Sequence, residues 1–574
     1  MSYVSEYPRP QLKREEWFDL CGEWDFDIVD PNLDNDNEVE LKRKINVPFC
    51  PESSLSGIGE RGFMKQVRYK REFTLPDNFA GKRVIIHFGA VDYEAAVYIN
   101  GKYAGSHKGG YTPFSFDITD LLSANNVLYV CVKDDCAGGE QPTGKQSHRE
   151  ESFGCFYTRT TGIWQTVWLE AVDAAHVVSW NVVCDISSSM AHFKFETTNE
   201  CEGMIAFVNV EYDGRAVGFE KCKVHCKSAE VPIRLSELHL WEIGQGRLYN
   251  ITVTLTDTFG ILHDSFSGYF GMREVGLDGK GMTLNGKHFF GRYVLDQGYY
   301  PDGIYTAPND ECLRNDIISA QKLGFNGARL HQKVFEPRYL FWADKLGFLV
   351  WGEFPSWGLN ITRHKALDGI LAEWIEVLKR DMAHPCIIGW CPFNETWDGP
   401  NGERQCDSIL ESVYRATKDM DPTRPVIDTS GNFHVVTDIF DVHDYEQDVM
   451  LFKSYYSRID EGILLDQIER GDQRARQKYN GGPVFVSEYG GIKWSKSDNA
   501  WGYGKEVVDE NEFIDRYAGL TDVLLCNKNI FAFCYTQLYD VEQECNGLMT
   551  YDRKFKFDPE IIKKINSAQA AVEE

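Results

Sequence analysis

Two glutamates in the C-terminal half of the chain, Glu395 and Glu488, have the residue type and the surroundings for acid–base chemistry on a sugar. Each stands at the end of a short apolar run that predicts a β-strand, and tryptophans and tyrosines occur near both runs. Two facing carboxyl groups cleave a glycosidic bond when one gives a proton to the leaving oxygen and the other attacks the anomeric carbon or activates a water. Aromatic faces suit the apolar C–H face of a sugar ring. The pair therefore indicates hydrolysis of a glycoside.

Other polar and aromatic residues lie at or just after predicted strands and are candidates for binding a substrate. A single carboxylate at such a position equally caps a helix or pairs with an arginine, so Asp296 or Glu353 alone would be ambiguous. His443, at the end of the sixth predicted strand, is assigned a structural role. The predicted substrate-binding residues are Asn394, Asp296, His331, Glu353, Tyr445 and Trp494.

The elements that would position these residues begin near residue 276, where strands start to alternate with helices. Alternating βα units of this number and length predict a (β/α)8 TIM barrel in residues 276–574, with active-site groups at the C-terminal ends of its strands. A doubly wound parallel sheet is the alternative, but no glycine-rich phosphate turn follows the first strand. The predicted strands span residues 288–291, 325–330, 348–351, 387–390, 425–427, 439–442, 483–486 and 530–533.

The residues that precede the barrel predict two β-sandwiches. Residues 1–176 contain many short apolar or alternating runs separated by turn residues, such as Asn100 and Gly101, which predicts a jelly-roll β-sandwich. Residues 177–275 have the length of a seven-stranded immunoglobulin-like sandwich, without the Cys-Trp-Cys framework of a true immunoglobulin domain. The chain is therefore predicted to be a multidomain β and α/β protein with three domains.

The composition of the 574 residues disfavours several other classes of protein. A net charge of -27, from 60 basic and 87 acidic residues, disfavours binding to nucleic acid or to an anionic membrane. No apolar stretch approaches the ~20 residues of a membrane-spanning helix, and the first residues lack the pattern of a secretory signal. The 16 cysteines are scattered without the paired spacing of a zinc site. We therefore expect reduced thiols, no metal and a cytoplasmic protein.

Short motifs, in the order of the predicted elements, resemble one family across nearly the whole chain. Trp-Cys-Pro-Phe-Asn-Glu at 390–395 and Val-Ser-Glu-Tyr-Gly-Gly at 486–491 are similar to the segments with the two catalytic glutamates of retaining (β/α)8 glycosidases. The segments at 20–26, 91–101 and 161–169 are similar to the sugar-binding jelly roll of glycoside hydrolase family 2. Two β-sandwiches followed by a barrel also match that family. The chain thus resembles glycoside hydrolase family 2, which includes β-galactosidases, β-glucuronidases and β-mannosidases.

This resemblance implies roles for the candidate residues. Glu395 would be the general acid/base, with a pKa raised by apolar neighbours such as Trp390 and by the charge of Glu488. Glu488 would be the nucleophile that forms a covalent glycosyl-enzyme, with the two carboxyl groups about 5–5.5 Å apart. Asn394 would hydrogen-bond the 2-hydroxyl of the substrate, and Tyr445 would hold Glu488 in its attacking orientation. We expect a carbohydrate substrate, no cofactor, no metal, and the homodimer or homotetramer common in the family.

Departures from the family's motifs bear on the identity of the sugar. β-Glucuronidases of the family carry an Asn-x-Lys pair after strand 8 that clamps a uronate carboxylate, whereas the matching positions here are Glu544 and Asn546. A glutamate there would repel a uronate. The sequence Gln-Lys-Val-Phe at 332–335 also differs from the Trp-Gly-Gly-type sequence that β-mannosidases of the family typically have after strand 2. We therefore expect a retaining exo-β-glycosidase acting on a neutral, galactose-like terminal sugar.

Two alternatives stay open at the level of sequence. A β-glucuronidase or β-galacturonidase could hold the uronate carboxylate with other residues, for instance Arg338 or Lys493. A carbohydrate-binding protein with an inactive barrel is the second alternative, although intact Glu395 and Glu488 argue against it.

Overall fold

The computed structural model describes residues 6–34, 39–399, 401–464, 479, 481–495 and 499–573. Three large hydrophobic clusters follow one another along the chain, in two β-sandwiches and a barrel. The fold class predicted from the sequence is confirmed. The predicted boundary after residue 176 falls between two strands, whereas the one after residue 275 falls within the strand Val275–Asp278. We propose both as approximate domain boundaries.

The N-terminal domain is a sandwich of antiparallel sheets. One sheet has the strand order β1-β12-β5-β9, the second has the order β3-β2-β4-β10-β7-β8, and β6 pairs with β11. Apolar side chains from the facing sheets form a common core, as expected for packed sheets. The strands are β1 Trp17–Asp19, β2 Gly22–Ile28, β3 Arg43–Val47, β4 Gln66–Phe73, β5 Arg83–Phe88, β6 Val91–Asp92, β7 Glu94–Ile99, β8 Lys102–Lys108, β9 Phe114–Asp117, β10 Asn126–Lys133, β11 Gly162–Ile163 and β12 Val167–Val172.

The second domain packs a three-stranded sheet, β13-β14-β17, on a four-stranded sheet, β16-β15-β18-β19. Burial alternates along its strands, because successive side chains of a strand point to opposite faces. This matches the immunoglobulin-like sandwich that the sequence predicts. The strands are β13 Val177–Asp185, β14 Met190–Thr197, β15 Ile205–Tyr212, β16 Arg215–Lys223, β17 Ser228–Arg234, β18 Tyr249–Thr256 and β19 Leu262–Phe270.

The third domain is built around a parallel sheet that curves into a barrel. Its strand order is β26-β25-β24-β23-β29-β28-β27, and several of its strands are buried along their whole length, which explains their continuous apolar sequence. A small antiparallel sheet of β20, β21 and β22 precedes it. The strands are β20 Val275–Asp278, β21 Gly281–Leu284, β22 Lys287–His288, β23 Gly291–Asp296, β24 Gly327–Leu330, β25 Leu349–Glu353, β26 Ile387–Cys391, β27 Phe440–Asp444, β28 Val484–Gly490 and β29 Ile530–Thr536.

Two predicted barrel strands differ from the structure. The first barrel strand is β23, because residues 287–288 instead pair with β21 outside the barrel. The predicted fifth strand at 425–427 is replaced by an irregular segment that bridges β26 only at Trp390–Val426 and, in the loop beyond it, at Asn394–Ser430. Asp428 accepts hydrogen bonds from the backbone N–H groups of Val435 and Val436 at 2.6 and 3.0 Å, so the chain turns back there instead of extending.

Helices surround the barrel sheet on its outer side. Several begin with an aspartate or asparagine whose side chain accepts a backbone N–H, as at Asn309, Asp509 and Asp558. Among the helices described, none is long and apolar enough to cross a membrane. The cytoplasmic location and the homo-oligomeric state stay predictions. The helices are α1 Asp310–Lys322, α2 Pro337–Leu346, α3 Ala366–Asp381, α4 Asp407–Met420, α5 Val449–Tyr456, α6 Glu510–Leu525 and α7 Pro559–Asn566.

The jelly roll is docked on the barrel by buried aromatic side chains. Tyr111, Tyr157 and Trp164 of the first domain belong to the hydrophobic cluster of the barrel. The backbone N–H of Tyr111 donates to Glu373 of α3 at 2.7 Å. Loops of the jelly roll are therefore held against the barrel, next to the C-terminal ends of its strands.

Candidate active site

Glu395 and Glu488 meet at the mouth of the barrel, at the carboxyl ends of two strands that are not adjacent, β26 and β28. Glu395 lies in the loop after β26, and Glu488 lies within β28. One carboxylate oxygen of each, together with a ring nitrogen of His443, lies within 4.8 Å of the others. Carboxyl groups that activate a water between them stand roughly 6.5–9.5 Å apart, and those of a nucleophile and its acid partner about 5–5.5 Å apart. The geometry here suits the second arrangement.

A buried arginine holds the nucleophile candidate. Nη1 of Arg329, at the end of β24, donates to Oε1 of Glu488 at 2.9 Å. Its Nε donates to Oε2 of Glu353 at 2.6 Å, and its Nη2 donates to Oδ1 of Asn394 at 2.6 Å. The Tyr445 hydroxyl donates to the other oxygen of Glu488, as the sequence analysis expected of this tyrosine. Both oxygens of Glu488 are therefore fixed in position.

His443 contacts both acids, although the sequence analysis assigned it a structural role. Its Nδ1 lies 2.6 Å from Oε1 of Glu395 and 3.4 Å from Oε2 of Glu488. Burial lowers the pKa of His443, but the charges of Glu488 and Glu395 and the hydrogen bond to Glu395 outweigh burial and raise it. The two carboxylates at Nδ1 therefore raise the pKa of His443, against the opposing charge of Arg329, whose Nη1 lies 3.2 Å from Nε2 of the ring.

The pKa of Glu395 differs in direction from the sequence expectation. Burial raises it, but the hydrogen bond and charge of His443, with smaller contributions from Lys145 and Arg329, lower it below the ordinary value. Trp390, which was expected to provide apolar surroundings for Glu395, has other partners. Its ring packs against Trp374 of α3, and its Nε1 donates to Asp421. The expectation of a raised pKa, drawn from apolar surroundings, is therefore wrong for this arrangement.

The backbone at Glu395 adopts a left-handed conformation with φ 43°, which is uncommon for a residue other than glycine. Its N–H donates to the carbonyl of Ser430 at 2.9 Å, and the N–H of Ser430 donates to the carbonyl of Phe393 at 2.9 Å. These bonds hold a conformation that costs about 1–3 kcal/mol in isolation. The irregular fifth segment thus serves to aim the Glu395 side chain.

Four of the six predicted substrate-binding residues lie around the two acids. Asn394 and Tyr445 bond to Arg329 and Glu488 as described above. His331 is buried, with Nδ1 3.0 Å from Oε1 of Glu353 and 3.9 Å from Oε1 of Glu488. Burial lowers the pKa of His331 well below its ordinary value, which favours the neutral ring. Glu353 uses both oxygens within the protein, toward Arg329 and the backbone N–H of Gln332.

The remaining two, Asp296 and Trp494, have other partners. Asp296 accepts hydrogen bonds from the N–H of Gly298 at 2.9 Å and from the hydroxyls of Tyr539 and Tyr339. Burial raises the pKa of Asp296. The ring of Trp494 lies against Phe513 and Phe557, with ring centres 6.4 and 6.1 Å away. These contacts favour positioning and packing roles, and their predicted contact with substrate stays a prediction.

The jelly roll contributes a buried cation to the same region. Nζ of Lys145 lies 4.2 Å from the centre of the Trp357 ring, and no hydrogen bond or ion pair joins it to another residue in the described part of the chain. Burial opposes its charge, but acidic neighbours, which include Glu544, Glu488 and Glu395, outweigh burial and raise its pKa. Lys145 is therefore a buried positive charge that is stacked on Trp357 and influenced by Glu544, Glu488 and Glu395.

A second contact between the domains involves Glu544, which follows β29. The Tyr157 hydroxyl donates to its Oε2 at 2.5 Å, and Nδ2 of Asn546 donates to its Oε1 at 2.9 Å. Burial raises the pKa of Glu544, an effect that Lys145 and these hydrogen bonds partly offset.

The two residues named as alternative uronate clamps form ion pairs with other residues. Arg338 pairs with Asp310, and Lys493 pairs with Glu506.

Sequence reasoning did not select Arg329, His443 or Lys145 as functional residues. Arg329 and His443 each stand at the end of a barrel strand, so their position was a signal that could have identified them. The jelly-roll loop at residues 141–146, which contains Lys145, was a candidate to reach the barrel mouth, but nothing in the sequence singled out Lys145 within it.

The comparisons with known proteins agree with this architecture. Residues 56–141 match the family model "Glycosyl hydrolases family 2, sugar binding domain", and residues 277–567 match "Glycosyl hydrolases family 2, TIM barrel domain". Among curated relatives, a β-glucuronidase of Streptococcus agalactiae is 23% identical over 517 residues, which cover 83% of each chain. A β-galactosidase of Thermoanaerobacter pseudethanolicus is 27% identical over 362 residues, which cover 61% of this chain and 47% of that protein.

Solved structures share the fold over the whole chain. The β-glucuronidase from Ruminococcus gnavus in complex with D-glucuronic acid superimposes with a TM-score of 0.80 at 19% identity and covers 99% of this chain and 100% of its own. A β-D-glucuronidase structure for Dictyoglomus thermophilum gives a TM-score of 0.78 at 21% identity, with 98% of both chains covered.

We predict that Gly144→Ala lowers the melting temperature and the activity more than Gly139→Ala does. Both glycines lie in the same jelly-roll loop with positive φ, +57° and +73°, so both alanines bear the left-handed cost of about 1–2 kcal/mol. A Cβ on Gly144 would also stand 2.2 Å from the carbonyl oxygen of Gln332, whereas one on Gly139 meets nothing within 4 Å. Equal effects of the two substitutions on thermal unfolding would contradict the close approach of this loop to the barrel.

Proposed function

Since this chain belongs to glycoside hydrolase family 2 and is a glycoside hydrolase, we propose that it is a retaining exo-β-glycosidase that releases a neutral, galactose-like terminal sugar. The proximity of the Glu395 and Glu488 carboxylates carries the proposal. Lys145 and Glu544 are buried, and their charges act on the proposed nucleophile, Glu488.

In the first step, Glu488 attacks the anomeric carbon and forms an ester bond to the sugar. The bond from that carbon to the leaving oxygen breaks, and the leaving oxygen takes a proton from the pair formed by Glu395 and His443. In the second step, Glu395 takes a proton from a water, the water oxygen attacks the anomeric carbon, and Glu488 leaves as a carboxylate.

The surrounding residues serve these two steps. Arg329 and Tyr445 orient the carboxylate of Glu488 and then stabilise it as it leaves the sugar in the second step. His443 holds the proton that Glu395 passes on, because the lowered pKa of Glu395 and the raised pKa of His443 place the shared proton on the ring in the free enzyme.

The choice of a neutral sugar rests on the charges beside the nucleophile. Glu544 occupies the turn where a uronate clamp would be expected, and the Lys145 charge already faces the carboxylates of Glu544, Glu488 and Glu395. A uronate would bring a further negative charge into a buried, acidic region. A neutral sugar would bring no such charge, and its hydroxyls would find a donor in Lys145, whose Nζ has no hydrogen-bond partner among the described residues.

One observation favours a second candidate, a β-glucuronidase or β-galacturonidase. Lys145 is a buried cation without a hydrogen-bond partner in the described residues, and it could anchor a uronate carboxylate from the jelly-roll side. In that case, the clamp would come from a different domain than in the β-glucuronidase pattern.

A panel of nitrophenyl β-glycosides tests the proposed sugar. We expect turnover of the β-galactoside to exceed that of the β-glucuronide and β-galacturonide by at least ~10-fold in kcat/KM, because an unpaired buried charge is costly. A uronide preference that Lys145→Met abolishes, while activity on neutral sugars remains, would instead establish the second candidate. Binding without turnover of any glycoside would overturn the proposal in favour of a carbohydrate-binding protein.

We expect Glu488→Gln to lower kcat/KM at least ~10³-fold on every glycoside, because the amide cannot form the glycosyl ester. Glu395→Gln should retain much more activity on a dinitrophenyl glycoside, whose leaving group needs no proton, than on an alkyl glycoside. Glu411→Gln, on the exposed face of α4, is the matched control. A Glu488→Gln enzyme with near wild-type activity would remove Glu488 from the mechanism.

The pH dependence of kcat/KM tests the shared proton. In the wild type, the pair of Glu395 and His443 should keep its proton until the pH rises through the raised pKa of His443. The basic limb of the kcat/KM profile should therefore lie above about 6.5, the ordinary pKa of histidine. In His443→Gln, the proton must reside on the Glu395 carboxyl itself, so the basic limb should move to lower pH. His225→Gln, at an exposed position in the second domain, should leave the profile unchanged. An unmoved basic limb in His443→Gln would exclude the shared proton.

A further inference from the structure

A cavity of about 550 Å³ opens beside Glu395, at the seam between the jelly roll and the barrel. The jelly roll contributes Phe156 and the loop around residues 136–148, and the barrel contributes the loops that follow β25 and β26. Glu395 is part of its lining, whereas Glu488 is not among the described residues that line it. The volume lies within the range of small-molecule sites.

The position of the cavity relative to the two acids tells which part of a substrate it would receive. In a retaining mechanism, the acid that protonates the leaving oxygen stands beside the aglycone, whereas the nucleophile stands against the anomeric carbon of the sugar. A space that borders Glu395 without Glu488 is therefore on the side of the leaving group.

The lining of the cavity is mainly apolar. The rings of Phe156 and Trp357 stand 5.3 Å apart at the seam, and Trp397 contributes a ring that is 48% exposed. Leu359 and Ile361 add aliphatic surface.

Two of the buried polar side chains of the lining, Thr143 and Gln146, are engaged within the protein. The Thr143 hydroxyl donates to the carbonyl of Trp357 at 3.2 Å. Nε2 of Gln146 donates to Asp92 at 2.8 Å and to the Tyr111 hydroxyl at 3.1 Å. A second sugar would bring several hydroxyls that need partners, and leaving them unpaired would cost affinity. A flat apolar group would not carry that cost.

We propose that this cavity is an aglycone site for an aryl or arylalkyl group, formed jointly by the jelly roll and the barrel. This proposal rests on the proposed function, because the roles of Glu395 and Glu488 decide which side receives the leaving group and which receives the sugar. It makes Trp397 and Leu359 specificity residues that select the leaving group without taking part in the bond cleavage.

A matched pair of substrates tests the site. The benzyl and ethyl β-glycosides of whichever sugar the enzyme hydrolyses best differ by one phenyl ring and have leaving alcohols of similar acidity. We expect kcat/KM for the benzyl glycoside to exceed that for the ethyl glycoside by roughly 10- to 100-fold, as expected for burial of one aromatic ring. Trp397→Ala and Leu359→Ala should bring the ratio toward one by lowering kcat/KM for the benzyl glycoside much more than for the ethyl glycoside. Phe259→Ala, 89% exposed in the second domain, should keep the wild-type ratio.

Binding of the benzyl and ethyl 1-thio-β-glycosides, which resist hydrolysis, separates this proposal from the catalytic one. A benzyl compound that binds at least ~10-fold more tightly supports the site even if no glycoside is turned over, and that result would overturn only the proposed function. A ratio near one in the wild type, in kinetics and in binding, would overturn the aglycone site. A benzyl-to-ethyl ratio that both alanine variants leave unchanged would also overturn the aglycone site. So would a preference of the enzyme for a disaccharide of the same terminal sugar over the benzyl glycoside.

Discussion

The buried guanidinium of Arg329 is the interaction on which the candidate site depends. A charge excluded from water must be paired on all sides, and Arg329 achieves this by donating to Glu353, Glu488 and Asn394. These partners belong to β25, to β28 and to the loop after β26, so one side chain fixes three walls of the barrel mouth relative to one another. A lysine could not do so, because a single ammonium lacks the planar fork of donors.

The same set of charges decides the protonation of the acid. His443, Lys145 and Arg329 all favour the ionised form of Glu395, against the effect of its burial. Lys145 comes from the jelly roll, whereas Glu395 and Glu488, the two proposed catalytic residues, come from the barrel. The first domain therefore contributes to the electrostatics of the site as well as to its walls, and Gly144, which allows the loop to approach the barrel, is part of the same arrangement.

Much of the fold was predictable from local patterns. Seven of the eight predicted barrel strands correspond to strands of the sheet, although the first begins later, and the two sandwiches follow from alternating burial and turn residues. The fifth strand was not predictable, because its apolar run at 425–427 looks like the others. The segment differs from the strands because Asp428 accepts hydrogen bonds from Val435 and Val436, further along the chain. No local sequence pattern shows these hydrogen bonds.

The sequence by itself determined the family resemblance, the order of the domains and the two glutamates, because these depend on short motifs and on periodic burial. It also placed Asn394 and Tyr445 beside them through the rule that barrel sites lie at strand ends. Only the tertiary structure decided the contacts of His443 and Lys145, the direction of the Glu395 pKa and the cavity at the domain seam. Each of these depends on distances between residues far apart in the chain, and charge–charge and burial effects follow distance in space rather than position in sequence.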